Sequence, residues 1–399
     1  MVRTTPFHAR LSELNTTGLW GHWAGYLSAQ KYVMSAKHEY FTVRNAAGFF
    51  DTSPLYKYRV AGRDAERFLA GVLTRDVRQC RPGRAQYTVW CDDRGFVLED
   101  GVVFRHSDNE FLLTAAEPNL GYLADLVGRL DVTVEDVTEA YGMLAVQGPR
   151  SRRILAALAP DVERLAYFEH CETKIGAAAV TISRTGYTGD LGYEIRVPAD
   201  DALGVLDAVI EAGRGHQLKP FGEQALLMTR IEAGLVLIDV EFSSSRLAFT
   251  DHDRVTPKEL GLGWMLKGLD ADDRPFLGRE AIRRELAEGT SRWASVGIVL
   301  DWADHDRVYQ EAGLIPPKDE TPLDYESMLY DDEGERVGYA TSLMYSPVLQ
   351  RHIAMARVRP ELSAVGTHAN LELTINHQYE TVAAEVTRLP FFNPQRKTA

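Results

Sequence analysis

The chain has 399 residues, 45% hydrophobic and 25% charged, which is the balance of a soluble globular protein with more than one core. Its 44 Lys+Arg against 57 Asp+Glu leave a formal charge of -13, which excludes a general nucleic-acid binder, because that needs a basic surface. Three cysteines with no ligand spacing (Cys80, Cys91, Cys171), a polar start and no run of 18 apolar residues predict a reduced, cytoplasmic protein with no membrane partner.

Residues 6–50 read as helix and loop, with Trp20, Trp23, Tyr26 and Tyr32 close together. That cluster is either packing or the wall of a substrate site. YKYRVAG (56–62) reads as a strand and GRDAERFLAGVLT (62–74) as a helix. AQYTVWCDD, GFVLEDGVVFR and EFLLTAA follow as three strands separated by DDRG and SDN turns, and NLGYLADLVGRL as a helix. This is an α+β unit with an antiparallel sheet. From GMLAVQGPRSRRILAAL (142–158) a similar cycle begins, with two strands around the turn in AAVTISRTGYTGDLGYEIRV and then the helix DALGVLDAVIEAG. QALLMTRIEAGLVLI (224–238) is helix-like. Residues 285–395 hold short strands of a small all-β module, interrupted by a long loop from Asp301 to Leu323 that carries Pro316, Pro317 and Pro322.

No phosphate loop, dinucleotide fingerprint, HExxH or GxSxG occurs, and the eleven histidines form no spaced ligand set. No metal is expected. Two stretches carry a signal. In RTGYTGDLGYE (184–194), Gly186, Gly189 and Gly192 allow tight turns or a close backbone approach. The plain reading is a bulged hairpin. The functional reading has Tyr187 and Glu194 lining a pocket for a flat heterocycle, the carboxylate accepting two N–H bonds from an amino-pyrimidine edge. In VLEDGVVF, Glu99 and Asp100 stand inside an apolar strand. Alternation puts them on opposite faces, so a regular strand presents only one of them to a cavity. The same rule separates Tyr87 from Trp90.

These motifs, with AAGFFDTSPL (46–55), FLAGVLTRDV (68–77), LAVQGP (144–149), TRIEAG (229–234), ELGLGWMLK (259–267) and VGYATSLMYSPVLQRHIAMARV (337–358), resemble the glycine cleavage T-protein (aminomethyltransferase) superfamily, in order and over essentially the whole chain. The resemblance implies an α+β fold in which three domains ring a central tetrahydrofolate site. It implies a first domain of residues 1–54 with 137–237, a second of 55–136 with 238–280, and a C-terminal β-barrel of 281–399. It implies Asp100 as the catalytic carboxylate. Tyr87, Tyr187, Glu194 and Arg230 become the tetrahydrofolate-binding candidates. Trp23, Tyr26, Tyr56 and Trp90 are the aromatic candidates for the second substrate, with core packing the competing role for Trp90.

The chain departs from the amino-methyl-transferring branch at Pro54 and Leu55, where that branch reads histidine and methionine, and at Thr114–Glu117. From these departures the leading expectation is a demethylase. It would move a methyl group from a small O-, N- or S-methylated compound to N5 of tetrahydrofolate, and it would require no protein partner. The alternative is an aminomethyltransferase of the glycine cleavage system, acting on a lipoyl-protein intermediate and giving 5,10-methylenetetrahydrofolate. A non-catalytic folate-binding protein is the third class, and its late KGCxxGQE motif does not occur.

Overall fold

A computed structural model describes residues 2–271, 273–317, 321–323 and 325–399. Near the N-terminus the helix His8–Leu14 leads to a hairpin of Trp20–Trp23 and Tyr26–Ala29. The sequence reading had only helix and loop there. The hairpin forms because Ala24 and Gly25 both take positive φ, 47° and 88°, the handedness that matches the twist of two paired strands.

Two α+β units follow, and the strands of the first, from 47–51 and 141–220, flank in the chain those of the second, from 56–136. One six-stranded sheet runs His170–Ile175, Ala178–Ser183, Gly192–Pro198, Tyr141–Gln147, Ala47–Asp51, Leu218–Pro220. Only its last pair is parallel. The other sheet runs Arg84–Cys91, Val97–Arg105, Glu110–Ala115, Tyr56–Ala61, Thr133–Asp136, all antiparallel. Over the second sheet lies the helix Ala65–Val72, which buries Ala65, Phe68, Leu69 and Val72 at helical spacing. A closed six-stranded barrel completes the chain, from Ala294–Leu300 to Gln378–Thr387. The fold is thus α+β, with two antiparallel-sheet units and a C-terminal barrel.

The stretch expected as a loop from Asp301 contains the helix Trp302–Glu311. The Asp301 side chain accepts from the Asp304 N–H and caps it. Only His305 and Val308 of this helix are buried, so its apolar periodicity is faint. Residues 318–320 of that stretch, and residue 324 just after it, lie outside the described residues.

Each unit has its own core. A further cluster gathers residues from all three: Phe50 and Ala145 from the first sheet, Val89 and Cys91 from the second, and Met344, Ile353 and Met355 from the barrel. Trp23 and Tyr87 pack against this central cluster. Among the described residues no helix is long and apolar enough to cross a membrane, and no group of His, Cys, Asp and Glu could hold a metal ion.

Candidate active site

The paired acids sit where Arg84–Cys91 meets Val97–Arg105. Val89 lies opposite Asp100 and Trp90 opposite Glu99. Side chains opposite each other share a face, so Tyr87 and Asp100 point one way, and Trp90 and Glu99 the other. The Tyr87 hydroxyl donates to Asp100 Oδ2 at 2.8 Å. Gly101 follows because a Cβ there would stand 1.9 Å from the Thr114 carbonyl oxygen.

On the far face Glu99 is fully buried. Its Oε1 accepts from the Asp100 N–H at 3.0 Å, and its Oε2 from the Glu117 N–H at 2.9 Å and the Asn119 amide at 3.3 Å. Trp90 is fully buried in the core of the second unit, its Nε1 donating to Asn119 Oδ1 at 3.4 Å. It is a core residue. Burial lifts both acids, Asp100 to about 6 against the opposing Tyr87 hydrogen bond, and Glu99 to about 9 with the Asp100 charge adding. They titrate as an interacting pair. Burial, then the Asp100 charge, hold the Tyr87 phenol well above its usual range, so it stays a donor.

Tyr187, from the glycine-rich loop, donates to the Val236 carbonyl. Burial holds its phenol well above the usual range, with the Arg230 charge opposing and the Asp100 and Glu241 charges adding, and it acts in turn on Tyr87, so both phenols, Arg230 and Asp100 share one neighbourhood. Glu194 lies opposite Ala145, which lies opposite Phe50. That row faces the central cluster, the one Tyr87 packs against. Glu194 Oε2 accepts from the Thr185 hydroxyl, and Oε1 has no hydrogen-bond partner among the described residues. Burial raises its pKa.

The other candidates divide. Arg230 was expected at the folate, or with Glu232 on a helix surface; both are fully buried, and they do not pair with each other. Arg230 binds Glu241 at 2.5 Å and the Ser342 hydroxyl of the barrel at 3.0 Å. Glu232 binds Arg44 at 2.6 Å. Trp23 lies 6.2 Å from the Phe50 ring, beside the centre. Tyr26 packs under Arg3, with 4.3 Å from guanidinium to ring. Tyr56 stacks on Tyr58 at 6.2 Å, on the edge of the second core.

Sequence reasoning missed Glu241, Asn119 and Thr185. Glu241 accepts from Arg230, the Leu237 N–H and Ser342. Its one sequence signal is an acid directly after the apolar run LVLIDV.

The GCVT N-terminal domain family matches residues 7–268, and the glycine cleavage T-protein C-terminal barrel domain matches residues 310–393. A protein named aminomethyltransferase from Geobacillus kaustophilus is 31% identical over 364 residues, 90% of each chain. Another of that name from Streptomyces coelicolor is 32% identical over 369 residues, 91% of each. The glycine cleavage system aminomethyltransferase T of Bartonella henselae superposes with a TM-score of 0.82 at 24% identity, over 98% of this chain and 99% of its own, a likeness of fold.

These findings overturn the expected small-molecule demethylase, and with it the expectation that no protein partner is needed: the relatives that match along nearly the full length carry the aminomethyltransferase name. The departure at Pro54 and Leu55 adjoins a buried lysine. The Lys57 ammonium, fully buried, donates to the Ser53 and Leu55 carbonyls at 2.8 and 2.7 Å. Pro54 lines a small cavity together with Thr5, His8, Trp20 and Asp51, and the Thr114 hydroxyl donates to the Val102 carbonyl at 3.2 Å. With both family domains matched in order and relatives aligned over nine-tenths of its length, the chain belongs to the glycine cleavage T-protein (aminomethyltransferase) family.

Proposed function

We propose that this protein is a tetrahydrofolate-dependent aminomethyltransferase. It takes an aminomethyl group from the lipoyl arm of a carrier protein and yields 5,10-methylenetetrahydrofolate, ammonia and the free lipoyl thiol. The observation that carries the reading is the Tyr87–Asp100 pair, set at the junction of all three units in a chain whose relatives are aminomethyltransferases.

The residues fit a reduced pterin. Glu194 is a carboxylate facing the central cluster with one oxygen free of protein donors, which suits an amino-pyrimidine edge. Tyr187 supplies an aromatic face close to Tyr87 and Asp100. Tetrahydrofolate itself supplies the two nitrogens that end up bridged by the transferred carbon. Asp100, ionised above about pH 6, stabilises positive charge on that carbon as its bonds to sulfur and nitrogen break. Tyr87 fixes the orientation of the carboxylate. Glu99, held by three N–H donors, holds the strand segment that presents Asp100. The donor carbon arrives on a protein-borne arm, so a carrier protein is part of this reading.

The test is to incubate the protein with tetrahydrofolate and an aminomethyl-loaded lipoyl carrier protein, and to follow folate mass and ammonia. Equal formation of methylenetetrahydrofolate and ammonia is expected. Absence of both with a competent carrier would sink the reading.

A further inference from the structure

After the last barrel strand the chain turns back over the first unit. Leu389 packs on Gly234, and Phe391 covers Gly297, where a Cβ would meet its ring at 2.7 Å. The Phe392 N–H donates to the Glu232 carbonyl at 2.8 Å, and the Phe392 ring lies 4.3 Å from the Arg44 guanidinium. Arg396 then clamps Asp190 through two parallel bonds, Nε to Oδ1 at 2.6 Å and Nη2 to Oδ2 at 2.7 Å. The barrel family match ends at residue 393, so Arg396 stands beyond it.

Asp190 is the centre of the glycine-rich loop. It is fully buried and also lies 3.6 Å from Arg44. Arg44 in turn bonds Glu232 and the Thr188 carbonyl at 2.8 Å, and Glu232 accepts from the Ser346 hydroxyl of the barrel at 2.5 Å. Two acids and two arginines therefore alternate in one chain of contacts, Arg396–Asp190–Arg44–Glu232, with formal charges that cancel. Three of the four side chains are at most 1% exposed, whereas Arg396 is 40% exposed. Arg184, from the same loop, also donates to the Arg396 and Lys397 carbonyls at 3.3 and 3.1 Å. Removing Arg396 leaves one uncompensated buried charge, and that charge sits in the loop that carries Tyr187 and leads into the strand of Glu194.

We propose that residues 388–397 form a clasp over the glycine-rich loop, and that Arg396, through Asp190, is a positioning residue for the pterin-binding side chains Tyr187 and Glu194. This rests on the tetrahydrofolate reading above. A bidentate guanidinium sets the carboxylate plane as well as its distance, so the loop is held in one conformation before ligand arrives. The ordering cost of ligand binding is thereby already met in the free protein.

The experiment compares the full chain with Arg396→Gln and Arg396→Lys. In Arg396→Gln, KM for tetrahydrofolate should rise about tenfold with kcat within about twofold of the parent, and Arg396→Lys should recover part of the loss. In ligand-free protein, amide hydrogen exchange at residues 186–191 should quicken in Arg396→Gln, with the barrel strand 294–300 unchanged. An unaltered KM in Arg396→Gln, or exchange that quickens across the barrel as well, overturns the proposal. If the parent protein binds no tetrahydrofolate, the folate reading fails by itself. The exchange of the free loop then decides whether the clasp exists.

Discussion

At the scale of single residues the chemistry rests on a carboxyl whose charge is delicately set. Asp100 is pushed up to about 6 by burial and pulled down by the Tyr87 hydroxyl. A rate that needs the carboxylate holds above that pH and falls as pH drops through it, so kcat/KM should show an acid limb near pH 6. Tyr87→Phe removes the hydrogen bond that favours the anion, so the limb should move to higher pH; an unmoved limb separates Tyr87 from Asp100. Asp100→Asn should lower kcat by on the order of a hundredfold or more while leaving folate affinity nearly intact, as checked by steady-state kinetics and binding calorimetry. The alternation of a strand already separates Glu99 from Asp100 in the sequence, and Tyr87 from Trp90. It does not say which face is the core. That follows from Asn119, a residue 19 positions beyond Asp100, which binds both Trp90 and Glu99 on the far side.

Elements place these residues through features that sequence shows unevenly. The helix Ala65–Val72 and the three strands after it were legible, because their apolar periods are regular. The hairpin at Trp20–Ala29 was not, because aromatic residues at short spacing fit either a helix or a strand. Gly101 is an element-scale requirement: Gly101→Ala forces a Cβ onto the Thr114 carbonyl, and should destabilise the protein by about 1–3 kcal/mol or more in denaturant titration. Lys57 is another. Burial lowers its pKa to about 7, while in the unfolded chain it titrates near about 10.4. Between those values the unfolded state binds more protons, so this residue makes stability rise with pH, by up to about 1.4 kcal/mol per unit. Lys57→Met should flatten that rise between about pH 7.5 and about pH 9, measured as the difference in unfolding free energy.

At the scale of the whole molecule, buried ion pairs tie the units together at the candidate site. Arg230–Glu241 joins the helix Glu223–Glu232 to the barrel through Ser342, and Arg44–Glu232 joins it to the barrel through Ser346. Breaking one such pair leaves an uncompensated charge. Arg230→Gln should therefore cost about 3–5 kcal/mol and lower the thermal midpoint. A loss confined to folate affinity, with stability unchanged, would return Arg230 to the binding site.

The sequence alone determined the elements with regular periods, the face each strand residue takes, and, through its motifs, the family and the site candidates Asp100, Tyr87, Tyr187 and Glu194. These are local properties of backbone geometry and of short residue patterns. Only the tertiary structure decided that Arg230 is an inter-unit tie, that Trp90 is core, and that Arg396 closes over Asp190 from 206 positions away. Each depends on which distant carboxylate meets a buried guanidinium, or which surface covers an aromatic ring. The Pro54 and Leu55 departures misdirected the substrate reading for the same reason. A motif shows which residue has changed, but what the new side chain faces, such as the small cavity that Pro54 lines with Thr5 and Asp51, is set by the packing around it.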